Sequence, residues 1–394
     1  MQLNLNDHPS FEAWRNPETG VRSYLLKQVV APVQQVPYFT TPNISGCGKY
    51  LWFYAAFPPG NVRTIGMVSL TADQVECRHF PNAQLRGHYE HGVLFHAHKG
   101  KAGFFIAMDR AIYFFAVDGS VEKLAELSPA LLGTELPYQG QMACTLSLSC
   151  DGRQLLFAGN MDDSHFICTL DLHSSTLNIV ETKNGFATPR RPCTGPEAFK
   201  AYTYSYFSPV EPDLFFTTGG AVHGNARLWL MTADGTSSEP FLEQVEAGAT
   251  NGTNHDFWSP DGWLCWTDLL NNSGVFEWNP TTKEKNHVWQ RPACHAHCSA
   301  QRDFLVCDDS PYRWDQEPCK VLFYDRVRRQ ETAICSALPK PRFNPRLTHC
   351  HPHPRFVLRD SHIAYTTTVN DRVTVALTPT EQLGVETKQV RAEE

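Results

Sequence analysis

The chain is short of charge, and what charge it has is not basic. Only 19% of its 394 residues are charged, and 34 Lys+Arg stand against 41 Asp+Glu for a formal net charge of -7. A nucleic-acid partner would call for a basic face, so that class is excluded. No apolar run reaches the roughly 18 residues of a membrane span, which excludes a transmembrane helix. The opening MQLNLNDHPSFEAW has no basic stretch followed by an apolar core. It does not read as a secretory signal, and the expected location is the cytoplasm. Sustained 3.6-residue periodicity is almost missing, so few helices are expected. What remains is a globular composition, 42% hydrophobic and 12% aromatic.

The 13 cysteines cannot all pair internally, because their number is odd. Most lie in apolar runs such as Ile167-Cys168-Thr169 and Leu264-Cys265-Trp266, which fits reduced, buried thiols. Cys294, Cys298 and Cys350 differ in sitting among histidines.

A weak unit recurs along the chain: a Ser-x-Asp-Gly type turn, then two short apolar strands separated by a polar turn. The clearest copies are HDFWSPDGWLCWTD from His255 and LSLSCDGRQLLFAGN from Leu146. Looser copies begin at Ile44, His91, Tyr206, His297 and His353. Each is followed by a further strand: IGMVSLTADQ, IYFFAVDGS, FICTLDLHSS, LWLMTADGT, VFEWNPTTK, VLFYDRVRR and VTVALTPTE. The strands are rich in aromatic and β-branched residues, the turns in Asp, Gly, Asn and Pro. Seven such units, spaced by roughly 40 to 60 residues, predict an all-β chain: a seven-bladed β-propeller of four-stranded antiparallel blades, with residues 1–394 as one domain. One blade cannot bury both its faces, and packing against its neighbours does so. The competing architecture is a pair of β-sandwiches.

The 17 histidines are clustered. ACHAHCSA carries His295 and His297, and LTHCHPHPRF carries His349, His351 and His353. Both runs precede an inner-strand repeat. In an extended strand, residues two apart share a face, so His349, His351 and His353 are expected to present two or three imidazoles together. Neutral imidazole is the commonest nitrogen ligand of divalent transition metals, and three such ligands with open positions suit a catalytic cation. The plain alternative is turn histidines bonded to backbone. A structural zinc on Cys294 and Cys298 competes, although Cys-x3-Cys is not the common tight spacing. GHYEHGVLFHAHKG, with His88, His91, His96 and His98, reads as a strand and its turn without a metal.

His255 opens the strongest repeat. It is a general-base candidate, since imidazole titrates near neutrality, or else a structural histidine. Arg227, in GNARLWLMTADG, either stacks on Trp229 or binds a carboxylate in bidentate fashion.

Taken in order, NPETGVRSYLL, LWFYAAF, NARLWLMTADG, NHDFWSPDG, PACHAH with FLVCDDS, and THCHPHPRF resemble the oligogalacturonate lyases, a polysaccharide-lyase family of seven-bladed propellers. The resemblance covers most of the chain. It implies β-elimination on short uronic-acid oligosaccharides with a bound Mn²⁺. It puts metal histidines at His295, His351 and His353, the catalytic base at His255 and the catalytic arginine at Arg227. The family's metal glutamine falls on Thr348, so His349 or water stands in for it, or a shift of register pairs His349 with His351. Two further departures concern the substrate. The family's basic turn after its first aromatic strand reads YFTTPNIS here, and its acidic, histidine-bearing loop reads TTGGAVHGN, with His223 nearby. The expected partner is therefore an acidic oligosaccharide, with galacturonate or a related uronate as its sugar.

Overall fold

The structure is a computed structural model. It describes residues 3–60, 62–71, 76–85, 92–108, 110–127, 145–161, 164–183, 204–218, 228–240, 253–269, 271–309, 317–343 and 350–385. The described residues form seven antiparallel sheets, and the only helices among them are two 3₁₀ turns, at Val369–Asp371 and Thr380–Leu383. This is a seven-bladed β-propeller fold, as the repeats predict. Among the described residues no helix is long and apolar enough to cross a membrane.

The chain divides into two compact units. The first comprises Met1–Asn82, Cys265–Trp278 and Lys285–Glu394; the second comprises Ala83–Leu264 and Asn279–Glu284. In the second unit, one four-stranded sheet runs Val93–Leu94, Gly103–Met108, Ala111–Ala116 and Val121–Glu126, and the next two begin at Thr145–Leu148 and Tyr204–Phe207. Phe105, Phe157, Phe166 and Leu155 are fully buried in one cluster there. In the first unit, the sheet that carries the histidine run is Ala296–Cys298, Phe304–Asp308, Cys319–Asp325 and Gln330–Leu338.

Two details depart from the repeat as read. The first blade opens on Val33–Gln35, not at Ile44, which makes only an isolated bridge to Leu51. The last sheet has five strands rather than four: Arg355–Val357, His362–Thr367 and Thr374–Pro379 are joined by the N-terminal Arg22–Leu26 and then Phe11–Arg15. Tyr24 and Leu25 pair with Leu377 and Ala376, so strands from the two ends of the chain share one sheet. Here the NPETG phrase has a structural task. Gly20 N–H donates to Asn16 O at 2.8 Å, closing the turn between the two N-terminal strands. The buried Asn16 amide donates to Ala333 O at 3.1 Å and Ser336 Oγ at 2.9 Å, fastening that turn to the neighbouring sheet.

The Ser-x-Asp-Gly turns are built alike. Ser149 and Ser259 each donate their hydroxyl to the Asp two residues on, at 2.6 Å in both cases. Each hydroxyl also accepts an N–H at the edge of the next strand, from Gln154, which starts its strand, and from Trp263, one residue ahead of Leu264–Asp268. The glycines follow at φ 73° and 87°, the left-handed region where a side chain is disfavoured.

Candidate metal centre

His295 stands just ahead of Ala296–Cys298, in a ladder that continues one step beyond the strand. Cys294 N–H donates to Asp308 O at 2.9 Å, and Asp308 N–H donates to His295 O at 3.1 Å. That pairing sets the Asp308 side chain against His295, whose Nδ1 lies 3.0 Å from both carboxylate oxygens. His295 N–H also donates to Oδ1 at 2.8 Å.

The HPHP segment does not take the expected extended form. Cys350 to Pro354 lie outside any strand, and His353 has a φ of 45° although a proline follows it. Backbone of that kind is disfavoured and persists only where its surroundings fix it. The fixing groups are identifiable. Cys350 is fully buried in the core cluster. Pro352 O accepts Thr366 N–H at 2.8 Å. His353 N–H donates to Asp308 Oδ2 at 3.0 Å. Prolines at 352 and 354 carry no N–H, so this crowded stretch has fewer backbone donors to satisfy.

The outcome is nonetheless the pairing that the sequence predicts. One ligand atom from each of His295, His351 and His353 lies within 4.8 Å of the others, and all three residues are buried. The His295 and His353 rings are perpendicular with centroids 4.3 Å apart; His351 stands 5.2 Å from the first and 5.3 Å from the second. Tyr38 meets the His353 and His295 rings edge-on at 5.0 and 5.7 Å, and Phe39 lies 5.3 Å from His295. Arg355 holds this aromatic wall by donating to Phe39 O at 3.1 Å.

Three neutral imidazoles are a borderline nitrogen donor set that divalent transition cations accept readily. A carboxylate behind one of them matches the usual support of a metal-bound histidine. By donor chemistry the residues fit a divalent cation. Burial pushes the Asp308 carboxyl well above the ordinary carboxylate range, and the N–H groups of His295 and His353 offset only part of that rise.

The other candidates divide clearly. His255 lies in Thr253–Trp258 of the second unit, partly buried, with a φ of 49°. Arg227, His349, Thr348 and His223 lie outside the described residues. His297 is a structural histidine: its Nδ1 faces Phe356 N–H at 3.4 Å, and burial, then the Arg355 charge, hold its pKa well below the ordinary value. His98 is buried against Phe105 and Phe114, and His96 is exposed. Of the two thiols of the zinc alternative, Cys294 Sγ lies 3.9 Å from His295 Nε2, and Cys298 is buried in Ala296–Cys298. No local pattern marks Tyr38 and Phe39; for Asp308 the acidic pair that closes FLVCDD is the available signal.

Solved structures with this fold are known. An oligogalacturonate lyase in complex with manganese is 17% identical, covers 94% of this chain and 96% of its own, and superposes with a TM-score of 0.71. An oligogalacturonate lyase from Vibrio parahaemolyticus is 16% identical over the same shares, with a TM-score of 0.72. The chain has the fold of the oligogalacturonate lyases. No family model and no curated protein matches its sequence.

Proposed function

We propose that the protein is a lyase that cleaves short pectin-derived oligogalacturonates, or a closely related uronate oligomer, by metal-assisted β-elimination. The observation that carries this reading is the buried triad His295, His351 and His353 in a propeller of this fold. These three residues would hold the cation, Mn²⁺ by analogy with the manganese-bound neighbour. When bound, the cation offsets the charge of the sugar carboxylate, which otherwise makes the neighbouring C5 a very weak carbon acid. Arg227 adds a second positive contact to that carboxylate. His255, neutral above its pKa, takes the proton from C5. The electron pair of the broken C5–H bond becomes the C4=C5 double bond, the C4–O bond breaks, and the departing glycosidic oxygen takes up a proton. The products are a shortened oligomer and an unsaturated uronate.

The reading takes residues 1–394 as one domain. It also places the protein in the cytoplasm, which the free thiols among the described residues suit. A second reading rests on Cys294 Sγ beside His295 Nε2: a non-catalytic sugar- or protein-binding propeller whose histidines hold a structural zinc.

One assay separates the two. Chelator-treated protein is incubated with di- and trigalacturonate, with and without Mn²⁺, and the ultraviolet absorbance of the unsaturated product is followed. A cation-dependent rise that His255→Ala abolishes supports the lyase. No rise on any uronate oligomer, with zinc that resists the chelator, supports the binding propeller.

A further inference from the structure

We infer that Asp308 is the positioning residue of this centre, a single buried carboxylate that both orients the His295 ring and ties the HPHP segment to it. The inference rests on the reading of the triad as a cation site.

Asp308 is fully buried. Taking an isolated carboxylate out of water is costly unless donors surround it. Here the donors come from two segments far apart in the chain. Oδ1 accepts the N–H of His295 at 2.8 Å, and Oδ2 accepts the N–H of His353 at 3.0 Å. With each oxygen placed as an acceptor, the remaining contact, His295 Nδ1 at 3.0 Å from both, is read with the hydrogen on Nδ1. That choice leaves the Nε2 lone pair as the ligand atom. The same carboxylate fixes where His353 begins, at the one point where the segment has a left-handed φ. A two-segment ligand set must pay the entropy of bringing its halves together, and Asp308 meets that cost before any cation arrives. Asparagine has nearly the same shape but cannot do both tasks. It offers one acceptor oxygen and one NH₂ group to three N–H donors, so at least one N–H faces a donor.

The test uses the full chain stripped of metal. Mn²⁺ affinity is measured by calorimetry for the wild type, Asp308→Asn and His351→Ala, each corrected for its folded fraction. Asp308→Asn is expected to weaken binding by about 10- to 100-fold. Independently, long-range ¹H–¹⁵N spectra of histidine-labelled wild-type apoprotein, assigned with His295→Gln, are expected to show His295 as the Nδ1–H tautomer. The inference is overturned if Asp308→Asn lowers thermal stability yet leaves the affinity of the folded protein unchanged, for the residue is then only structural. It is also overturned if wild-type His295 is the Nε2–H tautomer, a result that needs no folded variant. A wild type that takes up no Mn²⁺ sinks the cation reading and this inference together. Binding that His351→Ala removes but Asp308→Asn leaves intact sinks this inference alone.

Discussion

Three inner strands, Thr253–Trp258, Ala296–Cys298 and Arg355–Val357, have very different surroundings at their two ends. At the far end each runs into a turn closed by local hydrogen bonds. Gly262 N–H donates to Ser259 O at 3.0 Å, Arg302 N–H to Ser299 O at 2.9 Å and Ser361 N–H to Leu358 O at 3.2 Å. Toward the other end stand His255, the third residue of its strand, and His295 and His353, which lie ahead of theirs. No local turn orders the last two; their partner is Asp308, which lies 13 residues from one and 45 from the other. Both ends contain left-handed backbone. At the far end it falls on Gly262 or on turn residues such as Arg302 and Asp360, whereas at the start it falls on His255 and His353. The ends that repeat from blade to blade are architecture. The ends that differ carry the groups able to do chemistry.

Substitutions at the start should therefore act on binding and rate, and substitutions at the turn should act on stability. The largest effects belong to the start. His255→Ala is expected to lower the elimination rate by about 10²- to 10⁴-fold, the usual worth of a general base, with Mn²⁺ affinity unchanged. His295→Ala is expected to abolish measurable Mn²⁺ uptake in calorimetry while circular dichroism still reports the sheet. If His255→Ala instead lost stability and kept its rate, the division between the two ends would fail at that strand.

The same division governs what could be read from the sequence. The turns were legible because Ser, Asp and Gly must recur at fixed spacing to close them, and the seven repeats fixed the blade count. The first inner strand was not legible. Val33–Gln35 reads as polar, since its two buried glutamines look like loop residues until tertiary contacts are known; Gln34 is satisfied by Gln28 O at 2.7 Å and Val30 N–H at 2.7 Å. The clustering of His351 with His353 was legible, but it does not come from an extended strand. Prolines on either side of His353 and its left-handed φ produce the convergence instead. Tyr38 and Phe39 reach His353 from more than 300 residues away in the chain. No local pattern can announce such a contact.

Acid should expose the turn end next. His362 pairs with Val357, the last residue of its inner strand, and donates to or accepts from Ser361 Oγ at 2.9 Å. Burial lowers its pKa from 6.5 to about 4. A histidine depressed in this way is neutral in the fold, so the unfolded chain binds the extra proton between these values. Its contribution to stability is complete above pH 6.5, falls as the pH drops toward about 4, and then levels off. The loss is roughly 3 kcal/mol across that window. Urea titrations at several pH values should show this slope in the wild type and a shallower one in His362→Phe. Next in size is Glu277, which is buried and pairs with Arg302 at 2.8 Å and Arg326 at 3.0 Å, joining the turn after Ala296–Cys298 to the adjacent sheet. Glu277→Gln is expected to cost about 2 kcal/mol. That is less than a fully buried pair would cost, because both arginines keep part of their solvation. Mn²⁺ affinity should not change, and a change would show that the two ends of that strand are coupled.

The smallest effect is the sharpest test of the turn as a repeated part. Ser259 is fully buried, and its hydroxyl donates to Asp261 while accepting Trp263 N–H at 2.8 Å. Ser259→Ala removes both bonds and leaves the Trp263 N–H to find water, for an expected loss of about 1 kcal/mol. Ser149→Ala makes the same change in another blade, where the hydroxyl serves Asp151 and Gln154 N–H. The two turns share no hydrogen-bond partner, so their costs should add in the double variant to within about 0.5 kcal/mol. Neither substitution should alter the elimination rate per folded molecule. Additive losses with an unchanged rate are what independent architectural turns require. A double-variant cost well above the sum would mean that the blades sense one another through these turns, and the repeat would then be a cooperative element rather than a set of local closures.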